Sequence, residues 1–371
     1  MNKYYLGIDL GSTTSKAVII DEQDNIIGRG ITNTRANYKV AADIAREEAI
    51  YDARFTLLQK LIQSDMDIKP EFKKYMEDIR NVFQYRQFKR RMDSLERELR
   101  RTVSEFKYEN KDEIAGYLDD ILNVIRPQIR HEFVNENLGS KNQFFRDIVS
   151  ERYNEELEKL DRKFFEPLML AFDKSITPVE NQMVQYNFKE LVDESMKVLE
   201  EKYEGLADQQ EDGDKEDWYY AELNAVKDNY KVVERTLREH IDAIASENIH
   251  IANMVGTGYG RALLPFPEDC IKSEILCHAF GAHAVFPNTR TVLDIGGQDT
   301  KAIQVDSHGL VTSFHMNDRC AAGCGRYLGY IADEFSISLN ELGPEALQAD
   351  KETTICSTCT VFAGSEVREL L

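Results

Sequence analysis

The sequence predicts an α/β protein in which two related subdomains face a cleft, with a long all-helical segment inserted in the first. Two observations support this prediction. A short strand-like run with an aspartate near its end, followed by a glycine-containing turn, occurs twice, at Asp9 and at Asp294. Between the two copies, from about residue 38 to residue 248, charged sequence carries apolar residues at helical spacing.

The first copy lies near the N-terminus, where the apolar runs 4–10 and 16–21 flank the small residues GSTTS. This pattern predicts a β-hairpin, and a third strand is expected from Asn25. Glycine and small hydroxyl residues allow backbone N–H groups to approach a ligand closely, as phosphate-binding turns do. Turns of this kind also join strands without binding anything, so the first copy alone does not identify a phosphate site.

The repeat strengthens the prediction of a phosphate site. Aligned on their aspartates, DLGSTTSKAVI and DIGGQDTKAIQ share four pairs: Asp9 with Asp294, Gly11 with Gly296, Lys16 with Lys301, and Ala17 with Ala302. Two facing hairpins can bind a polyphosphate from opposite sides, while their strand-end carboxylates hold Mg²⁺ and orient the attacking water. We therefore expect Asp9 and Asp294 to be catalytic; the alternative is that each only caps its own turn.

Helical periodicity defines three predicted parts of the chain. We expect a helical insertion over residues 40–247, a first subdomain over 1–39 and 248–289, and a second subdomain over 290–371. Prolines are expected to separate the helices of the insertion, at positions 70, 127, 167 and 178. Docking of a partner subunit is one hypothesis for the insertion.

A strand and then a helix are expected after the insertion, from Ile249 and from Ser273. The helix should be amphipathic. Its two histidines, His278 and His283, are more commonly packed helix residues than ligands. Cys270 and Cys277 lie on the helix or just before it, and we expect them to be unreactive core thiols.

All six cysteines lie in the last third of the chain, which is not the distribution of a disulfide framework. Four of them form two close pairs, Cys320 with Cys324 and Cys356 with Cys359. A C-x3-C pair followed by a C-x2-C pair is compatible with a zinc site or an iron–sulfur cluster. It is also compatible with buried thiols that bind no metal, and composition does not decide between the three.

The charge balance argues against two classes of partner. The formal charge of −20, from 46 basic and 66 acidic residues, is unsuited to a general binder of nucleic acid or of anionic membranes. No apolar run approaches the roughly 18 residues that span a bilayer, and the N-terminus lacks the layout of a signal peptide. We expect a cytoplasmic protein.

Five segments together resemble the BadF/BadG/BcrA/BcrD-type ATPases: YLGIDLGSTTSKAV, VGTGYGR, VLDIGGQDTKAI, NDRCAAGCGRYL and CTVFAGSEV. The resemblance covers residues 1–39 and 248–371. It implies an actin/Hsp70/sugar-kinase-like fold of two ribonuclease-H-like subdomains, the second incomplete. It also implies ATP and Mg²⁺ as ligands, and a dimer whose interface holds one [4Fe–4S] cluster. Cys320 and Cys359 would be this chain's cluster ligands, and the other two paired cysteines would be additional.

The same resemblance assigns the nucleotide site to the two turns. The expected catalytic residues, around Mg²⁺, phosphate and water, are Asp9, Asp294 and Gln298. The expected phosphate-contacting residues are Gly11, Ser12, Thr13, Thr14, Lys16, Gly296, Gly297 and Asp299. Closing of the cleft on the β- and γ-phosphates would pull the second hairpin and shift the cysteine-bearing loop.

The insertion makes the chain resemble the larger ATPase subunit of ATP-dependent benzoyl-CoA reductase. That implies ATP-driven electron transfer from reduced ferredoxin to benzoyl-CoA-reducing subunits, with a homologous smaller ATPase subunit as heterodimer partner. The alternatives are an activator of a 2-hydroxyacyl-CoA dehydratase and a non-enzymatic ATP-binding regulatory or assembly module with a zinc site. Because the family continues beyond CTVFAGSEV with an adenosine-binding segment, we also expect an incomplete product or half of a split gene.

Overall fold

The computed structural model describes residues 2–34, 37–65, 70–136, 138–141, 144–183, 186–208, 217–297, 299–317, 324–335, 337, 339–356 and 360–370. Contacts divide the chain into two compact units, one of Met1–Leu6 with Lys16–Asn253 and one of Gly7–Ser15 with Met254–Leu371. These units do not coincide with the three predicted parts, whose boundaries stay a prediction. Among the described helices, none is both long enough and apolar enough to cross a membrane.

Four strands form the first sheet, where apolar alternation predicted them. They are β1 (Tyr4–Leu10), β2 (Thr14–Ile20), β3 (Ile26–Asn33) and β4 (Ile251–Thr257). Their order is β3-β2-β1-β4, and β1 and β4 each continue along the chain from the first unit into the second. Alternate side chains of β1, including Leu6 and Ile8, are buried, which is the period of a sheet packed on one face.

An all-helical segment follows β3 and confirms that part of the predicted fold. Its helices are α1 (Tyr38–Asp65), α2 (Pro70–Ser104), α3 (Lys111–Asn135), α4 (Phe145–Leu157), α5 (Arg162–Glu180), α6 (Phe188–Asp208) and α7 (Asp217–Ser246), with a 3₁₀ turn at Leu138–Lys141. Helix α1 lies directly against β3 because Gly28 and Gly30 present no side chain. A β-carbon on either would collide with the carbonyl oxygen of Ala49 or Ala45.

Two apolar clusters stabilise the helices. The first joins α2 to α5 through buried residues such as Leu99 and Leu122. The second joins α1, α2, α6 and α7, and in it the ring of Phe55 meets the rings of Phe83 and Phe188 edge-on, with centroids 5.1 Å apart in both pairs. Helices α1 to α7 therefore gain most of their stability from packing rather than from intrinsic helix propensity.

The prediction that prolines separate the helices is wrong at three of the four positions. Pro70 begins α2, where its missing amide hydrogen costs nothing, but Pro127 lies inside α3 and Pro167 and Pro178 lie inside α5. An interior proline costs roughly 3 kcal/mol, because it removes a hydrogen bond and crowds the carbonyl group one turn earlier. The buried apolar faces of α3 and α5 offset that cost.

The second unit contains a three-stranded antiparallel sheet. Its order is β5-β6-β7, with β5 (Thr291–Ile295), β6 (Thr300–Val305) and β7 (Val311–Asn317). The described residues of this unit also form two 3₁₀ turns and four helices: Arg261–Leu263, Glu268–Cys270, α8 (Glu274–Val285), α9 (Cys324–Glu334), α10 (Leu339–Ala346) and α11 (Thr360–Leu370).

Helix α8 covers one face of the second sheet. Ala279 on this helix is fully buried against Ile303 and Val305 of β6. The sequence predicted this helix correctly, but the prediction that it is amphipathic was wrong. Leu276 and Phe280 on its outer side are 52% and 59% exposed, so α8 is apolar on both sides.

Candidate functional site

The two aspartate–glycine turns meet within the second unit, as their repeat predicted. A β-carbon on Gly297 would lie only 2.7 Å from Thr13 Oγ1. The absence of a side chain at Gly297 therefore lets the second turn approach the first. Two glycine-containing turns in contact can direct several backbone N–H groups toward one anion, as a phosphate site requires.

Each turn is tight because a glycine stands two residues after the aspartate. A β-carbon on Gly11 would lie 2.7 Å from the carbonyl oxygen of Thr14, and one on Gly296 would lie 3.0 Å from Asp299 Oδ1. The backbone N–H of Gly296 also donates to the carbonyl oxygen of Asp299 at 2.8 Å. The two glycines that the repeat aligned thus occupy equivalent positions in their turns.

A third glycine-rich segment, GTGYG after β4, packs on the end of β1. Gly258 has φ +90°, and a β-carbon there would lie 2.5 Å from Asp9 Oδ1 and within 2.7 Å of the backbone of Leu10. The N–H of Gly260 donates to the carbonyl oxygen of Leu10 at 2.8 Å. This segment therefore shapes the surroundings of Asp9, although its sequence is too common to have indicated that role.

Asp294 has partners on two neighbouring elements. The antiparallel register places it opposite Lys301, so both side chains lie on the face of the sheet that α8 covers. His278 Nδ1 on α8 lies 2.7 Å from Asp294 Oδ2. Because an ionised carboxylate can only accept, the geometry assigns the proton to Nδ1. His278 is therefore a helix residue with a specific hydrogen-bond partner on the neighbouring strand.

Lys301 connects three carboxylates. Its Nζ lies 2.6 Å from Asp299 Oδ1, 3.2 Å from Glu274 Oε1 and 3.6 Å from Asp294 Oδ2, and its side chain is only 3% exposed. Burial alone would lower the pKa of Lys301, but the hydrogen bond to Asp299 and the charge of Glu274 outweigh it, so the pKa is raised. Lys301 is thus held as a buried cation among acidic groups.

The sequence analysis did not predict that Glu274, His278 and Lys301 lie together around Asp294. Two features of the sequence pointed toward these residues. Lys301 aligns with Lys16 in the repeat, and Glu274 and His278 are four residues apart, which places them on the same side of a helix. Neither signal indicates which strand the helix will cover, and that placement decides which residues meet.

Lys16 differs from its counterpart in the repeat. It is exposed on β2 and lines a cavity of about 710 Å³ in the first unit, which Arg29, Glu48 and Arg91 also line. Desolvation raises the pKa of Glu48, and the nearby Arg91 and a hydrogen bond from Gln87 partly counteract that effect. The predicted contact of Lys16 with phosphate stays a prediction.

Three predicted site residues lie outside the described residues: Gln298, Cys320 and Cys359. The neighbouring segments are described. Helix α9 begins at Cys324, and the N–H of Gly325 in its first turn donates to the carbonyl oxygen of Gly296 at 3.3 Å. In the second cysteine pair, the backbone N–H of Cys356 donates to Glu366 Oε2 at 2.7 Å.

One group of potential metal ligands occurs among the described residues. Ligand atoms of Glu274, His278 and Asp294 all lie within 4.8 Å of one another. The Lys301 ammonium group already contacts two of these residues, and a divalent cation in the same place would be repelled by it. The prediction that Asp9 and Asp294 hold Mg²⁺ together with a nucleotide stays a prediction.

Comparison with known proteins gives a family and several relatives. The model of the BadF/BadG/BcrA/BcrD ATPase family matches residues 6–371. The (R)-2-hydroxyglutaryl-CoA dehydratase activating ATPase of Acidaminococcus fermentans is 43% identical over 133 residues, which is 36% of this chain and 51% of that protein. The 2-hydroxyisocaproyl-CoA dehydratase activator of Clostridioides difficile is 46% identical over 117 residues, 32% of this chain and 44% of that protein.

A further relative belongs to another system. A benzoyl-CoA reductase subunit of Thauera aromatica is 30% identical over 158 residues, 42% of this chain and 55% of that protein. The chain thus spans about half the length of the curated relatives it matches.

Proposed function

The chain belongs to the BadF/BadG/BcrA/BcrD ATPase family, and from this premise we propose that it is an ATP-hydrolysing subunit that activates electrons for a CoA-thioester enzyme. Family membership confirms the predicted resemblance. The α/β, actin/Hsp70/sugar-kinase-like fold class is confirmed with it. The activity, the electron donor and the acceptor are parts of the proposal.

One observation carries the proposal: the two repeated turns touch at Thr13 and Gly297, with Asp9 and Asp294 near the ends of the adjoining strands. Backbone N–H groups of the turns would bind the β- and γ-phosphates of ATP. The two carboxylates would hold Mg²⁺ and orient the attacking water, a role proposed also for Gln298. Hydrolysis of this kind needs positioning and charge stabilisation more than covalent chemistry from the protein.

The first turn of α9 offers a route from the nucleotide to the cysteines. A β-carbon on Gly325 would lie 3.0 Å from the carbonyl oxygen of Gly296 and 3.2 Å from Gly297 Cα, so the helix start and the second turn are in direct contact. Movement of that turn on ATP binding or hydrolysis would displace α9 and, with it, the segment that carries Cys320. Such coupling drives a process only if nucleotide states prefer different geometries.

A [4Fe–4S] cluster shared across a dimer interface is part of the proposal. Its proposed ligands, Cys320 and Cys359, lie outside the described residues. When bound, a cluster of this kind supplies low-potential one-electron transfer. The contribution of the described residues is to bind the nucleotide and to connect its turn to α9.

The acceptor has two candidates. Two dehydratase activators match at 43% and 46% identity, against 30% for the benzoyl-CoA reductase subunit, which favours activation of a 2-hydroxyacyl-CoA dehydratase. The second candidate is a benzoyl-CoA reductase, with a smaller ATPase subunit and benzoyl-CoA-reducing subunits as partners. Reduced ferredoxin is the proposed electron donor for both candidate systems. Identification of the subunits that co-purify with the chain distinguishes the two candidates.

Iron and sulfide analysis of the anaerobically purified protein tests the proposal. We expect iron and sulfide in the wild type, their loss in Cys320→Ser or Cys359→Ser, and a visible and EPR spectrum that changes with ATP. Cys356→Ser is the matched control and should retain the cluster. A protein with zinc and no iron would instead support the non-enzymatic regulatory module.

A further inference from the structure

Asp294 and Asp9 are equivalent in the repeat but not in their surroundings. Lys301, opposite Asp294, is buried among carboxylates, whereas Lys16 in the first copy is exposed. His278 adds a contact to Asp294 from α8. The second aspartate is therefore constrained by a strand and a helix at the same time.

Both constraints act on the same oxygen. His278 Nδ1 lies 2.7 Å and Lys301 Nζ 3.6 Å from Asp294 Oδ2. A hydrogen bond and an ion pair to a carboxylate restrict its rotation and so orient it toward a ligand.

From this geometry we infer that His278 and Lys301 are positioning residues, which hold the Asp294 carboxylate in a fixed orientation in which it would serve Mg²⁺ and the nucleotide. The inference rests on the proposed function. Lys301 also holds Asp299 and Glu274, at 2.6 and 3.2 Å, and so ties the second turn to the start of α8. Neither residue needs to touch the nucleotide itself, because each acts through Asp294.

The rival interpretation is that His278 is a ligand in a metal site with Glu274 and Asp294. The two interpretations differ in what can replace the imidazole. An asparagine at position 278 keeps an N–H donor near the position of Nδ1, so it can still bond Asp294, whereas its amide is a poor ligand for transition metals. His278→Asn therefore separates positioning from ligation.

Steady-state ATP hydrolysis by the anaerobically purified protein tests the inference. Since misplacement by about 1 Å costs roughly 100-fold in rate, His278→Leu and Lys301→Met should each lower kcat by about 10- to 100-fold. The KM for Mg·ATP should change by less than about threefold, because the lost interaction matters most in the transition state. His278→Asn should recover most of kcat, and His283→Ala, on the same helix, is the matched control.

Unfolding measurements on the nucleotide-free protein make the test independent of the proposed function. The Tm losses of His278→Leu and Asp294→Asn should be less than additive in the double variant, as expected for residues in contact. Additive Tm losses in the double variant would overturn the inference. So would an unchanged kcat in His278→Leu, or a kcat in His278→Asn as low as in His278→Leu. A wild type that hydrolyses no ATP would remove the proposed function, while the Tm cycle would still decide whether His278 holds Asp294.

Discussion

At the residue scale, Gly258 connects the segment after β4 to the first aspartate. Gly258 has φ +90°, and a β-carbon added there would lie 2.5 Å from Asp9 Oδ1. Any side chain at this position is therefore unfavourable. Gly258→Ala should lower the unfolding free energy by about 1–3 kcal/mol and weaken Mg·ATP binding about tenfold, equivalent to roughly 1.4 kcal/mol. A fluorescent ATP analogue and denaturant titrations measure both effects.

Gly281→Ala is the matched control, because Gly281 lies in α8 with open space around its Cα. Alanine in a helix interior should raise stability by up to about 1 kcal/mol and leave nucleotide binding unchanged. Equal binding losses in the two variants would contradict a specific role for Gly258.

Glu48 gives a pH-dependent prediction. Burial raises the pKa of Glu48, so the folded state favours its protonated form. Its contribution to stability is present below the unfolded-state pKa and is lost as the pH rises through the higher folded-state value. Glu48→Gln keeps an acceptor for Gln87 and should stabilise the protein at pH 8 by about 0.5–1.5 kcal/mol. The gain should vanish near pH 4; denaturant titrations that show the same change at both pH values would contradict it.

The repeat aligns Asp9 with Asp294 and Gly11 with Gly296, so the sequence could predict that these residues occupy equivalent turns. It could not identify the partners of Asp294. Lys301 meets Asp294 through the register of β5 and β6, and His278 meets it because α8 covers that face of the sheet. Contacts of this kind depend on which elements pack together. The local sequence pattern does not encode that packing.

At the element scale, the start of α9 contacts the second turn, which is the proposed nucleotide-binding turn. In Gly325→Ala, the new methyl group would lie 3.0 Å from the backbone oxygen of Gly296, so the second turn must shift. We expect weaker Mg·ATP binding and a smaller ATP-induced change in the visible spectrum of the cluster. Gly329→Ala, in the same helix with open space at its Cα, is the control and should retain both.

The helical segment gives a stability prediction. Leu122 of α3 is 2% exposed within the α2–α5 cluster, while Val124 on the same helix is 48% exposed. Leu122→Ala should lower the unfolding free energy by about 2–5 kcal/mol, because it removes apolar contacts and leaves a cavity. Val124→Ala should change it by less than about 0.5 kcal/mol. Similar thermal shifts for the two variants would contradict this account of the core.

Periodicity predicted the elements well, and it failed where packing overrides local preference. The strands β1 to β4 and the helical segment follow from apolar spacing. The interior prolines of α3 and α5 are tolerated because those helices bury extended apolar faces. Helix α8 was expected to have a polar outer side, and its exposed Leu276 and Phe280 show that its sequence is not patterned for one buried face alone.

At the scale of the whole molecule, the repeat was the most informative feature of the sequence. It predicted two related sheets with a glycine-containing turn in each, and the contact between Thr13 and Gly297 agrees with a shared site. The family match confirms the fold class. The predicted domain boundaries and the cluster ligands stay predictions.

Mg²⁺-dependent ATP hydrolysis by the anaerobically purified protein, compared with its Asp9→Asn and Asp294→Asn variants, tests the central claim most directly. Both variants keep the shape of the side chain and remove its charge, and we expect each to lower kcat roughly 100-fold or more. Asp306→Asn is the control, because Asp306 caps the turn between β6 and β7, where it accepts from the N–H groups of His308 and Leu310. The account predicts hydrolysis in the wild type and the control and its loss in both variants. Absence of hydrolysis in the wild type, or wild-type rates in Asp9→Asn and Asp294→Asn, would contradict it.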